Sequence, residues 1–99
     1  MTFVRDFSIS NEDPSIPDHF PGNPVVPGVV ILERVRECLV EWKPQARIRN
    51  VVTAKFISPI LPEQRFRIHL TEKGLDVSFQ CIVDGEVIAQ GKLKLDDQS

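Results

Sequence analysis

Cysteine is scarce in this chain: Cys38 and Cys81 are the only two. Two cysteines cannot build a disulfide scaffold or a four-cysteine zinc site. Both are expected to be reduced, buried small hydrophobes of a cytosolic protein. A basic excess is missing too. Twelve Lys/Arg stand against 14 Asp/Glu, for a formal net charge of −2, which excludes a generally basic nucleic-acid binder. No apolar run approaches the ~20 residues of a membrane helix. The start, Met1-Thr2-Phe3-Val4-Arg5-Asp6, lacks the basic segment and apolar core of a signal peptide. The 99 residues leave room for one domain, residues 1–99. A domain of this size buries a modest fraction of its surface, so oligomerisation is open from the outset.

Proline, by contrast, is concentrated. Five of the eight prolines (Pro14, Pro17, Pro21, Pro24 and Pro27) fall between residues 14 and 27. Proline fixes φ and removes an N–H donor, so the stretch is expected to be a stiff, extended loop. Before it, Phe3, Phe7 and Ile9 share one parity, which predicts a strand over residues 2–9. After it, Pro27-Gly28 opens a helix running to about Trp42 and stopped by Pro44. Val29, Leu32, Val35, Leu39 and Trp42 form its apolar stripe, and Glu33 falls off it on a weaker patch with Val29, Val40 and Arg36. Four strands complete the chain. Residues 47–57 place Ile48, Val52, Ala54 and Phe56 on one face, and residues 65–71 place Phe66, Ile68 and Leu70 there. Residues 75–83 place Leu75, Val77, Phe79, Cys81 and Val83 on one face, and residues 86–95 form the last strand. Lys73-Gly74 and Asp84-Gly85 read as hairpin turns. One helix with a wide apolar stripe needs a large apolar surface, and a curled five-stranded antiparallel sheet supplies one: an α+β domain.

Few residues could carry chemistry. His69 sits on the polar parity of its strand and is expected to be solvated. His19 lies in the proline-rich loop just ahead of the helix. Glu33 is a solvated glutamate by periodicity alone, unless its weaker apolar patch is a subunit interface. The backbone N–H groups at Pro27-Gly28-Val29 are the unpaired start of a helix, where the dipole favours negative charge. Charge is uneven: residues 34–67 hold eight Lys/Arg against three Asp/Glu. That is either an ordinary solvated face or a basic patch for an acidic partner.

His19-Phe20-Pro21-Gly22-Asn23-Pro24-Val25-Val26-Pro27-Gly28-Val29-Val30-Ile31-Leu32-Glu33 resembles the signature H-F-P-G-x-P-x-x-P-G-V-x-x-x-E of the β-hydroxyacyl-acyl-carrier-protein dehydratases of bacterial fatty acid synthesis. All eight motif positions up to Val29 match, as does the glutamate. Asn11-Glu12, Lys55-Phe56-Ile57-Ser58-Pro59-Ile60-Leu61-Pro62 and Asp84-Gly85-Glu86 resemble further segments of that family. The chain departs from it at Asp18 (usually glycine), Arg34 (usually small) and Glu37 (usually glutamine). The resemblance implies a single hotdog fold, a five-stranded antiparallel sheet wrapped around one central helix. It implies dehydration of 3-hydroxyacyl thioesters on an acyl carrier protein, in fatty acid synthesis or in polyketide or aryl-polyene pathways. It makes His19 the base, Glu33 the acid, and the Gly28 N–H the binder of the thioester oxygen. It places Phe20, Pro27 and Val29 on the substrate tunnel. It implies a cytoplasmic homodimer or higher homo-oligomer, with sites shared between chains and no metal or other cofactor. Arg34, Arg36, Lys43, Arg47 and Arg49 would then be the docking patch for the acidic carrier. Two rival expectations stay open: a thioesterase on the same fold, and a non-catalytic acyl-binding subunit.

Overall fold

The computed structural model describes residues 1–10, 12 and 25–96. The described elements run β1 (Thr2–Ser8), α1 (Gly28–Trp42), β2 (Ile48–Phe56), β3 (Arg65–Lys73), β4 (Asp76–Val83) and β5 (Glu86–Leu95). The strands form one antiparallel sheet in the order β1-β3-β4-β5-β2. The order follows from the connections. β3, β4 and β5 are neighbours joined by tight turns, at Gly74-Leu75 and Asp84-Gly85. Asp84 and Gly85 both have positive φ, 51° and 81°, as a two-residue hairpin of matching twist requires. The first turn sits one residue later than Lys73-Gly74, because Lys73 still pairs with Asp76 in the ladder. Leu75 is therefore in the turn and exposed rather than in the core.

The helix carries the chain across the sheet from the β1 edge to the β2 edge, and residues 57–64 carry it back to β3. α1 lies against β1 and β3, with Trp42 stacked on Phe3 at 5.9 Å between ring centroids. The core comprises Val30, Ile31, Val35, Cys38 and Leu39 of the helix and the inward positions Phe66, Ile68, Leu70, Val77, Phe79, Cys81, Ala89 and Leu93. Each fully buried Phe or Leu among them contributes about 1.5–3 kcal/mol. The helix stripe is rotated from the periodic expectation: Val29 is 67% exposed, whereas Val30 and Ile31 are buried. Four consecutive apolar residues, Val29 to Leu32, make the phase of a 3.6-residue repeat ambiguous at that end, and packing decides it.

β2 also differs. Val51 pairs with Leu93 and Thr53 with Lys92, with a register shift between them. That shift and another between Ile48 and Asn50 put Val51 rather than Val52 on the inner side with Ile48, Ala54 and Phe56, since each reverses the alternation. Because α1 sits over the other half of the sheet, the inner face of β2 is uncovered. Val51, Phe56 and Ile57 are each 46–51% exposed. No described helix is long and apolar enough to cross a membrane.

Candidate active site

Pro27 occupies the position just before the helix, with extended φ −61° and ψ 146°, and is not its first helical residue. The ring fixes that φ and offers no capping side chain. The start is anchored instead by the backbone: Val26 N–H donates to Ile60 C=O at 2.8 Å, and Val30 N–H donates to Pro27 C=O at 3.0 Å. The amides of Gly28 and Val29 have no acceptor one turn earlier, and the dipole is positive there. Gly28 lets an aromatic ring approach closely. A Cβ at this position would lie 3.0–3.2 Å from three atoms of the Phe56 ring. Phe56, itself half exposed, thus roofs the helix start beside a recess of ≈ 330 Å³ that Gly28, Ile31, Ile57 and Ser58 also line.

Glu33 stands ~7.5 Å further along the helix axis at 1.5 Å rise per residue. Its side chain is 52% exposed, and Arg36 donates to its Oε2 from both Nε and Nη2 at 3.2 Å. On the other side lies an apolar recess of ≈ 180 Å³, walled by Val29, Leu32 and Val35 of the helix and by Ile48 and Val51 of β2. The apolar pocket expected around Glu33 is thus half built within one chain, and its open half faces the uncovered side of β2. Val29, expected on the tunnel, does line this recess. His19 and Phe20 lie outside the described residues.

Three members of the expected docking patch are already neutralised. Arg34 pairs with Glu37 at 3.3 Å, Arg36 with Glu33, and Lys43 with Glu72 at 2.7 Å. Arg47 and Arg49, just before and on β2, have no ion-pair partner among the described residues. Two participants escaped the sequence reading. The Arg36–Glu33 pair follows the i,i+3 spacing of neighbours on a helix face, a signal that was present. The placement of Phe56 over Gly28 joins residues 28 positions apart, for which periodicity offers no signal.

The ApeI-like family profile, described as the ApeI dehydratase, matches residues 2–92. A 3-hydroxyacyl-[acyl-carrier-protein] dehydratase FabZ of Geobacter metallireducens is 30% identical over 102 residues, spanning 88% of this chain and 68% of that protein. The dehydratase heterocomplex ApeI:P from Xenorhabdus doucetiae contains a chain that superposes with a TM-score of 0.85 at 22% identity, covering 97% of this chain and 88% of that one. A 1,4-dihydroxy-2-naphthoyl-CoA thioesterase from Synechocystis shares the fold at a TM-score of 0.74 and 11% identity, covering 96% and 80%.

Proposed function

The chain belongs to the ApeI-like dehydratase family, and from that premise we propose that it removes water from 3-hydroxyacyl thioesters held on an acyl carrier protein. The product is a 2-enoyl thioester. The difficult step is loss of a weakly acidic α-proton, and a neutral His19 imidazole takes it, histidine being the side chain type best suited to take up a proton near neutral pH. The electron pair moves toward the thioester carbonyl, whose oxygen gathers charge against the Gly28 N–H at the helix start. The C–C double bond then forms as the C3–O bond breaks, and Glu33, released from Arg36 and in its carboxylic-acid form, delivers the proton that leaves with the hydroxyl as water and is left as the carboxylate. The observation that carries this reading is the uncapped helix start at Gly28, opening onto a recess under Phe56 with Glu33 on the same helix.

A dimer in which one chain's histidine loop meets the other chain's Glu33 completes the site. It is supported by the half-built recess and by the exposed Val29, Val40 and Val51. A second copy of this chain is the simplest partner. Among the expected docking cations, Arg47 is the one that stands outside the strand ladder with no ion pair, and it is the first candidate for contact with the carrier. The setting is cytoplasmic chain building, in fatty acid synthesis or in a polyketide or aryl-polyene pathway, and the reaction uses no cofactor of its own.

Mass spectrometry of a 3-hydroxyacyl carrier protein before and after incubation tests the reaction. Loss of one water with the acyl group still attached is the expected result. Release of a free acid and an unloaded carrier would replace dehydration by thioester hydrolysis, and an unchanged carrier would leave a non-catalytic subunit.

A further inference from the structure

Glu33 has two opposite tasks in the proposed reaction. It must hold a proton before the hydroxyl leaves, and it must be a stable carboxylate afterwards. The group beside it is a cation. Arg36 donates from Nε and Nη2 to the same oxygen, Oε2, at 3.2 Å each, and Oε1 accepts from no described residue. One oxygen is held and the other is left to exchange a proton. Both side chains line the apolar recess between α1 and β2, to which β2 contributes Ile48 and Val51 and β5 contributes Leu93. No other ionisable residue lines that recess among those described. On the helix, the next carboxylate, Glu37, lies one turn further and is engaged by Arg34 at 3.3 Å. Arg36 is therefore the one charged group in contact with Glu33 among the described residues.

A cation beside a carboxyl group acts on both halves of the cycle, with opposite sign. It favours the carboxylate over the acid, so fewer copies of Glu33 hold a proton at a given pH. It also makes each protonated copy a better donor. The charge left on Glu33 as its proton moves to the departing hydroxyl is stabilised while it forms. The rate of proton transfer follows only part of a change in acid strength, so the two effects do not cancel. Where Glu33 is fully protonated, only the gain in donor strength counts. Where it is mostly ionised, the loss of protonated copies outweighs that gain.

We propose that Arg36 is a positioning residue of the dehydration: it re-engages Oε2 of Glu33 as the proton leaves, speeding the reaction where Glu33 is protonated and slowing it where Glu33 is ionised. This inference rests on the reading of Glu33 as the acid and names the group that tunes it. Arg36 itself gains and loses no proton; the proton passes from Glu33 to the C3 hydroxyl, and the C3–O electron pair leaves with the water. The guanidinium is thereby committed to the site and not to the carrier. The test compares Arg36→Gln with the unaltered chain on a 3-hydroxyacyl carrier protein from about pH 4 to 9. The readout is the ratio of kcat, variant over unaltered, which excludes effects on carrier docking and removes the His19 ionisation common to both. The ratio is expected near one half at the acid end and near two at the alkaline end, crossing one between them, for an ion pair of ordinary strength.

Two further variants separate charge from shape. Arg36→Met keeps the length without the charge and should cross as Arg36→Gln does. Arg36→Lys keeps the charge and should not cross. A loss of packing or of helix stability would lower the rate in the same sense at every pH, so it cannot imitate a crossing. A ratio on one side of one throughout would overturn the proposal, as would unchanged rates or a crossing shown equally by Arg36→Lys. An unaltered chain that leaves the carrier-bound substrate intact at every pH would overturn both this inference and the dehydration reading. Dehydration by the unaltered chain without a crossing in Arg36→Gln and Arg36→Met would overturn this inference alone.

Discussion

At the scale of single residues, the groups to which the proposed reaction assigns a role stand apart from those that must stay inert. His19→Ala and Glu33→Gln should each lower the dehydration rate by about 10²–10⁴-fold, the usual loss on removing a general base or acid. Circular dichroism should show both variants folded, since Glu33 is half exposed and supports no core contact. A folded variant with the unaltered rate would remove that residue from the mechanism. The cysteines belong to the other group. Burial pushes the Cys81 thiol up to about 12 and the Cys38 thiol up to about 11, from an ordinary 9.0. The thiolate is the reactive form, so a disulfide reagent at pH 8 should label neither in the native protein and both in denaturant. The same shift bears on stability. Below the unfolded value both states are protonated and the contribution is whole. As pH rises past about 9 the unfolded chain ionises while the folded one stays protonated, so the melting temperature should fall progressively toward pH 11–12.

At the scale of elements, the β5–β2 seam places the site's uncovered wall, and Gly91 sets how closely those strands meet. A side chain at Gly91 would run into the Thr53 carbonyl oxygen and the Phe79 ring. Phe79 is a central core residue and the oxygen is backbone, so neither can step aside. Gly91→Ala should cost about 2–3 kcal/mol by overpacking, measured as a lower urea midpoint at unchanged slope. Gly28 makes an instructive contrast. The atoms nearest a Cβ there belong to the end of the half-exposed Phe56 ring, which can swing away, so its smallness serves the recess more than the stability of the fold.

At the scale of the whole molecule, docking and site sharing can be separated experimentally. Arg47→Glu should raise KM for carrier-bound substrate while leaving a small pantetheine thioester unaffected, because only the carrier presents an acidic surface. Equal effects on the two substrates would exclude docking at Arg47. Sharing is tested with two inactive variants, His19→Ala and Glu33→Gln, mixed after subunit exchange. With random exchange about half the dimers are mixed, and each mixed dimer has one intact site of two, so about a quarter of the original activity should return. If both groups of a site came from one chain, every site would stay defective, and confirmed exchange without recovery would end the shared-site reading.

The order of elements was legible in the residues. Strict alternation in Phe66, Ile68 and Leu70 and in Val77, Phe79, Cys81 and Val83 leaves one face to bury. Pro44 stops the helix, and Asp84-Gly85 closes its hairpin. These are local effects of period, ring closure and positive φ, so sequence by itself determines them. The motif singled out Gly28 and Glu33 as candidates, and helical periodicity marked the exposed patch of Glu33 with Val29 and Val40. Only the tertiary structure decided the rest. It turned the helix so that Val30 and Ile31 point inward, bulged β2 so that Val51 replaces Val52, and laid Phe56 over Gly28. It also engaged Lys43 with Glu72 of β3, a pair remote in the chain that a count of charges along it cannot reveal. These outcomes depend on contacts between elements remote in the chain or on the competition of neighbouring side chains for one partner. Distance along a sequence does not encode distance in space, and packing, not period, sets which of several equally apolar residues is buried.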